Sequence, residues 1–551
     1  MSSSLEGLVS IRTQGKNKLL EKAVERKDFR VLITYPNYTK MLTPSYAVGL
    51  FTAILKEQGC NVDLFDCTSY MTSYNPQELP NPAVLANRLL VNKPFDPSFF
   101  SDVKTDLFGD FAKKLDDFKP HAVIFSTVVE DTWPQTRDLL EVLSHYPEIK
   151  SIVGGTFTTM LSRYPDHEHK VIANPYVQCV GEGEGEDTIV DFCEAVRQGL
   201  PTNRVPGTRA KDENGSIIHN PPRSLVDINK TPIPDFSLFD KKRFERPLGA
   251  KSWRAIPIET FRGCPYTCRF CNSPAQVEIT KERLGVDFRR RKNMDVLRKE
   301  ITTLLEQNDG NFLYINDDAF MARPMSEIDA FIEMYSNIRV PFWMQTRFED
   351  IRSEEQLARL KEVGLYRISF GLEHGNEQFR REKMDRHITN ENMIEKAQIV
   401  ARVGVPYSVN VIIGNPYETR KLVFDTINLN RELGGFDSVA PNIFTPYHGT
   451  KMRDDAVREG WLDQELQTNS FVGGSILRMP PPYLQEDEML RLQRVYNLYV
   501  NLPRDRWSEI ERAEKLLGTD EGEALWEELK KEFYQLKYGT SEFERKPTYA
   551  G

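Results

Sequence analysis

The sequence predicts an α/β protein: a parallel sheet covered on both faces, then a partial (β/α)6 barrel, then a mainly helical C-terminal region. Three observations carry that expectation. Short apolar runs alternate with segments of helical spacing from residue 29 to about 200, and again from Ile256 to about 450, the pattern of strands joined by crossover helices. Between 201 and 250 the texture turns to Pro, Asp, Asn and Arg, which marks a boundary. Beyond 450 helical patterns take over, at Glu486 to Leu502 and Arg506 to Leu536.

A chain of 551 residues exceeds one ordinary core. The expected divisions are a polar extension (1–28), a first sheet domain (29–200), a linker with a hairpin (201–250), the barrel (251–450) and the helical region (451–551). The composition, 40% hydrophobic and 28% charged, is that of a soluble globular protein. A net charge of −9 opposes a general nucleic-acid or anionic-membrane binder, because no positive field would attract phosphates. Residues 1–28 lack the apolar core of a signal peptide, and no run approaches a membrane helix. A cytoplasmic protein is expected.

The first strand, Phe29 to Pro36, is followed by a helix from Ser45 to Gln58 that stops at Gly59. Strands at Asn61 to Asp66, Ala122 to Ser126, Ser151 to Val153 and Val177 to Val180 come next. Ligands of open parallel sheets bind beyond the carboxyl ends of the strands. Tyr35 and Pro36, Ser126 and Thr127, Gly154, Gly155 and Thr156, and Gly181, Glu182 and Gly183 all fall there. In the linker, Asp212 to Gly215 reads as a hairpin turn, since Asn-Gly tolerates positive φ. Thr231 to Asp235 reads as extended.

Cys264, Cys268 and Cys271 follow the apolar run Ile256 to Phe261. Three thiolates at this C-x3-C-x2-C spacing can grip one iron-sulfur cluster and leave one iron without a protein ligand. A zinc site would want a fourth Cys or His nearby, and the next histidine is His374. Disulfides are disfavoured with seven cysteines in the whole chain; buried inert thiols remain the other reading. Barrel strands follow at Phe312 to Asn316, Phe342 to Thr346, Arg367 to Gly371, Tyr407 to Ile413 and Asp437 to Phe444. With the strand before the cysteines they make about six repeats, short of the eight that close a full barrel, so one side stays open.

The cysteine spacing, with Phe270 before the last cysteine, resembles the signature of the radical S-adenosylmethionine (SAM) enzymes. The resemblance implies a 4Fe-4S cluster on the three thiolates, SAM chelated by the free iron, and reductive cleavage to a 5′-deoxyadenosyl radical. Asp317 and Asp318 stand where the family's Gly-Gly-Glu motif receives the methionine amino group. Glu373 matches its ribose-contacting carboxylate, and Ile413 and Gly414 match its motif beside adenine. Arg380, one turn after Glu373, is placed to neutralise the SAM carboxylate.

Residues 29–200 resemble the Rossmann-like cobalamin-binding domain that precedes the radical domain in a large class of these enzymes. The proline-led loop, Lys56-Glu-Gln-Gly59, the Gly154-Gly155 turn and the Gly-Glu-Gly-Glu segment carry that resemblance. It implies cobalamin on the strand-end residues named above. The histidine string D-x-H-x-x-G is absent, so cobalt is expected without a histidine from this domain. A Rossmann-like domain without cobalamin is the alternative; a dinucleotide site is opposed by Tyr-Pro-Asn-Tyr-Thr where G-x-G-x-x-G would stand.

Together the resemblances imply a cobalamin-dependent radical SAM methyltransferase. It would act on an unactivated carbon of a small-molecule or peptide substrate, through the 5′-deoxyadenosyl radical and methylcobalamin, with an external electron donor such as flavodoxin or ferredoxin. Cyclisation, oxidation or rearrangement by a radical SAM enzyme, with or without cobalamin, is one alternative, and a non-catalytic corrinoid carrier or sensor is another. His374 and His448 read equally as proton carriers or structural histidines. Arg289 to Lys292 reads as an anion-attracting run or a solvated face.

Overall fold

The structure is a computed structural model; it describes residues 23–38, 43–71, 103–164, 169–248, 251–466, 468, 474–539 and 548–549. Its first sheet grows from β1 (Arg30–Tyr35), where every residue but the first is buried, as a central strand requires. Helix α1 (Tyr46–Glu57) is capped by Ser45, whose hydroxyl accepts from Val48 N, and leads to β2 (Asn61–Asp66). Then come α2 (Leu107–Phe118), β3 (Ala122–Ser126), α3 (Trp133–Leu143), β4 (Lys150–Gly154), α4 (Thr156–Leu161), β5 (Cys179–Gly181) and α5 (Glu186–Arg197). The sheet order is β2-β1-β3-β4-β5, all parallel.

The hairpin of β6 (Thr208–Lys211) and β7 (Ile217–His219) turns at Gly215 (φ +82). It adds two antiparallel strands to the free edge of β5, so the first sheet runs on past residue 200. The Pro-rich stretch after it packs over α1. Asp235 N donates to Gly49 O at 2.9 Å, and the Phe236 ring lies where a Gly49 side chain would stand.

The second sheet starts with β8 (Glu245–Leu248) and β9 (Lys251–Ile258). A two-stranded ribbon, β10 (Phe261–Arg262) with β11 (Arg290–Arg291), brackets the cysteine loop and α6 (Ser273–Leu284). Helix α7 (Met294–Gln307), β12 (Phe312–Ile315), α8 (Met325–Tyr335), β13 (Phe342–Thr346), α9 (Glu354–Val363) and β14 (Leu365–Glu373) follow. The barrel continues through α10 (Glu377–Lys383), α11 (Asn390–Val403), β15 (Tyr407–Ile413), α12 (Arg420–Leu433) and β16 (Ser438–Ile443). Strands β9 and β12 to β16 form six parallel staves in chain order, an open barrel.

The C-terminal region covers the edges of this sheet. After α13 (Lys451–Arg458), helix α14 (Glu486–Asn501) lies on α12 and β16. Gln493 and Asn497 donate to the carbonyls of Pro441 (2.9 Å) and Val439 (3.1 Å). At the far edge β17 (Thr548–Tyr549) pairs with the start of β9. The single helix expected over 506–536 is two, α15 (Trp507–Leu516) and α16 (Asp520–Tyr538). Gly518 (φ +91) turns the chain between them, and Thr519 caps the second. Among the described residues no helix is long and apolar enough to cross a membrane.

Candidate functional site

The cysteine loop springs from β10. Gly263 has φ +93, and a side chain there would press on the Phe288 ring and the Arg289 backbone, so only glycine fits. Cys271 N donates to Cys268 O (3.3 Å) and Arg269 N to Met384 O (3.1 Å), which tightens the loop before α6 begins. Phe270 packs against the main core. All three thiols are half-buried and unbridged. Burial pushes Cys264 up to about 12 and Cys271 to about 11. It raises Cys268 as well, against the pull of Arg386 and Arg347. A bound cation would favour the thiolate form against that burial, and an all-sulfur set suits iron. Among the described residues no three Cys, His, Asp or Glu side chains gather around one ion.

Asp317 and Asp318, adjacent at the end of β12, part company. Asp317 is buried: its carboxylate accepts from Thr260 N (2.7 Å), Phe261 N (3.1 Å) and Arg323 Nη2 (2.7 Å). It clamps the start of β10 and, unlike Asp318, does not line the cavity between the two sheets. Asp318 instead faces the cysteine loop, accepting from the Ser273 hydroxyl at 2.9 Å.

Arg380 is likewise engaged by protein acceptors. Fully buried, it donates to His374 O (2.6 Å), Ile388 O (2.8 Å) and Asn390 Oδ1 (2.7 Å), tying the loop after β14 to α11. The arginines beside the cysteines are Arg347, whose Nη1 is 3.7 Å from Cys268 Sγ, and Arg386, whose Nη1 is 3.5 Å from Glu373 Oε1. Arg347 Nε and Arg386 Nε and Nη2 are buried without a hydrogen-bond partner among the described residues; Nη2 keeps an ionic contact to Glu349 at 3.7 Å. Glu373 itself sits at a break in the β14–β15 register with φ +68. Burial raises its carboxyl, with Arg386 and Arg347 opposing. Ile413 is fully buried and Gly414 (φ +77) lies under Met489 of α14.

Between the carboxyl ends of the two sheets lies a cavity of about 420 Å3. Ser126, Gly154, Gly155, Thr156, Gly181, Glu182 and Gly183 line one side, and Glu259, Asn272, Ser273, Asn316 and Asp318 the other. The first sheet therefore faces the cysteine loop. Gly155 has φ +137, and a Cβ there would fall 2.0 Å from Thr127 O. A Cβ on Gly154 would meet only the Gly181 Cα, one on Gly181 only the Gly154 Cα and Val153 O at ordinary contact distance, and one on Gly183 (φ +80) nothing within 4 Å. Thr158 and Thr159 pin this floor through Gly181 O (2.7 Å) and Gly183 N (2.9 Å). A bare backbone floor of this kind fits a large flat ligand.

Tyr35, Pro36 and Thr127 are buried beside the cavity and do not line it. The Tyr35 hydroxyl accepts from Asn37 Nδ2 (2.7 Å), and the Thr127 hydroxyl is 3.0 Å from that of Thr136. Glu182 turns its carboxylate to Arg283 and Arg209, each at 2.5 Å. His374 is buried against Phe379, with Nε2 3.2 Å from Glu418. His448 lies 2.8 Å from Glu130 across the two domains. The Arg289 to Lys292 run splits by strand alternation. Arg290 and Lys292 turn inward to Glu184 and Glu300, while Arg289 and Arg291 pair outside with Asp287 and Glu327. Sequence reasoning missed Arg386, which sits in a loop without pattern. It also passed over Arg262 and Glu259, although Arg262 adjoins the cysteine motif.

The Radical SAM superfamily profile matches residues 258–429. An uncharacterized methyltransferase, PH0819 of Pyrococcus horikoshii, is 24% identical over 68% of this chain and 77% of its own. The anaerobic magnesium-protoporphyrin IX monomethyl ester cyclase of Rubrivivax gelatinosus is 24% identical over 64% of this chain and 61% of its own. The cytidylyl-2-hydroxyethylphosphonate methyltransferase of Streptomyces wedmorensis is 21% identical over 91% and 96%. Among solved structures, the radical SAM methyltransferase TsrM from Kitasatospora setae superposes with TM-score 0.55, at 16% identity over 79% of this chain and 77% of that one. The cobalamin-dependent SAM radical enzyme OxsB superposes with TM-score 0.58, at 14% identity over 99% and 83%. The chain is an enzyme with a radical SAM domain at residues 258–429, and it shares its fold with solved cobalamin-dependent radical SAM enzymes.

Proposed function

We propose that this chain is a cobalamin-dependent methyltransferase that methylates an unactivated carbon of a small-molecule or peptide substrate. The observation that carries this reading is the cavity itself, with a glycine floor on the first sheet and the cysteine loop opposite. Relatives named as methyltransferases and a solved relative carrying cobalamin and a [4Fe-4S] cluster support it.

Cys264, Cys268 and Cys271 would hold the cluster. Arg347 and Arg386 stand beside it with buried unpaired N–H donors that a SAM carboxylate would satisfy, and Glu373 would accept from a SAM hydroxyl. Gly154, Gly155, Gly181 and Gly183 would carry the corrinoid. The cluster would supply the electron that cleaves SAM, and the corrinoid the methyl group. On the barrel side the chain's own Phe261, Asp318 and Ser273 line the cavity around them. A one-electron donor of the flavodoxin or ferredoxin kind would serve from outside.

The cyclase relative favours a second reading, ring closure or oxidation with the same cofactors. Anaerobic turnover with methyl-labelled SAM separates the two. Label appearing in a product together with S-adenosylhomocysteine supports transfer; turnover that yields 5′-deoxyadenosine and unlabelled product supports the second reading.

A further inference from the structure

Arg262 and Arg290 are directly opposed across the β10–β11 ribbon. Two like charges in that position repel, and a ribbon of two residues a side has little else to hold it. The first domain supplies what the pair lacks. Glu184, from the loop after β5, accepts from Arg262 Nη1 at 2.6 Å through Oε1 and from Arg290 Nη1 at 3.0 Å through Oε2. Glu186 takes a further contact from Arg262 Nη1 at 2.7 Å, and Glu259 holds Nη2 at 3.0 Å. Both inserted carboxylates are 7% exposed, so solvent screens them little.

The Gly-Glu-Gly-Glu-Gly-Glu segment thus does two things along one wall of the cavity. Its glycines 181 and 183 leave bare backbone there, while Glu182, Glu184 and Glu186, which also line it, place their carboxylates on arginines. Two residues beyond Arg262 stands Cys264. The loop that floors one cofactor site therefore ends inside the base of the loop that carries the other.

We propose that Glu184, inserted by the first domain between Arg262 and Arg290, and Glu186, which reinforces it on Arg262, are positioning residues that hold the cavity floor and the cysteine loop in one register. The proposal rests on the reading of that floor as a cofactor site. It predicts that the two loops loosen together when the carboxylate is removed, before any corrinoid is added.

Hydrogen exchange on the full chain, with its cluster reconstituted and no cobalamin present, tests this. Glu184→Gln should speed exchange in residues 181–186 and 260–272 together, on the order of tenfold, and broaden the electron paramagnetic resonance signal of the reduced cluster. Adding Arg290→Gln to that variant removes the opposed charge and should restore much of the protection. Arg163→Gln breaks a different interdomain pair, with Glu278 at 2.9 Å, and should leave both segments protected. If Glu184→Gln fails to fold, Glu186→Gln, which leaves Glu184 bridging the arginines, carries the same prediction at smaller amplitude. Loosening confined to 181–186, or protection unchanged in both segments, overturns the proposal. Retention of hydroxocobalamin by the unaltered protein is measured separately, so failure of the cofactor reading shows there and not in the exchange data.

Discussion

Asp317→Ala and Asp318→Ala should fail in different ways. Removing Asp317 leaves Arg323, 3% exposed, without its carboxylate and strands the N–H groups of Thr260 and Phe261. Breaking a buried ion pair from one side costs about 3–5 kcal/mol. For a domain of this size that is a fall in melting temperature of roughly 6–20 °C. Asp318 loses one hydroxyl hydrogen bond, to Ser273, which costs about 1 kcal/mol, yet it lies on the cavity wall beside the cysteine loop. Anaerobic thermal melts, paired with 5′-deoxyadenosine formed from SAM and dithionite at low temperature, separate the two. Asp317→Ala should melt early and still cleave SAM while folded; Asp318→Ala should melt near the unaltered protein and cleave poorly. An Asp317→Ala protein that melts normally but has lost cleavage would refute the clamp and restore Asp317 as a cofactor contact.

Alanine at Cys264, Cys268 and Cys271 should abolish the cluster's visible absorbance and SAM cleavage while far-ultraviolet circular dichroism stays unchanged, because the three thiols form no bridges. Gly155→Ala should barely express, since its Cβ would lie 2.0 Å from a backbone oxygen; Gly183→Ala, with open space around it, should fold at a cost of about 1 kcal/mol and weaken hydroxocobalamin retention. The Glu130–His448 contact should make stability fall in acid. Burial lowers the His448 imidazole below its ordinary value despite Glu130; burial pushes Glu130 up, but its hydrogen bonds to His448 and Thr468 N leave it below the usual carboxylate range. Both groups bind protons less tightly folded than unfolded, so their stabilisation is present above about pH 6.5 and is lost as pH falls. Melting temperature between pH 7.5 and 5 should therefore drop less in His448→Gln than in the unaltered protein, and an equal drop would contradict the assignment.

What could be read from the sequence was local. The cysteine spacing, the strand-helix alternation and the glycine turns each depend on neighbours within a few residues. Side-chain direction was not legible. Asp317 and Asp318 alternate as strand-end residues do, and the pattern does not say which one faces the ligand. The same pleat divides Arg290 and Lys292 from Arg289 and Arg291. Arg380 and Arg386 were equally eligible for an anion. A turn through Asp385 (φ +55), closed by Arg386 N donating to Arg380 O, sends one into the core and the other toward Glu373. The Glu184 bridge joins residues 78 and 106 positions apart, a contact that no window on the chain can contain.

If one cavity serves both a corrinoid and a radical-forming cluster, both groups must stay with the protein and act together. Anaerobic reconstitution with iron, sulfide and hydroxocobalamin, followed by desalting, reduction and SAM, tests it most directly. The account predicts a corrinoid absorbance that stays with the protein and the formation of both 5′-deoxyadenosine and S-adenosylhomocysteine. Protein that sheds the corrinoid and yields 5′-deoxyadenosine alone would contradict it.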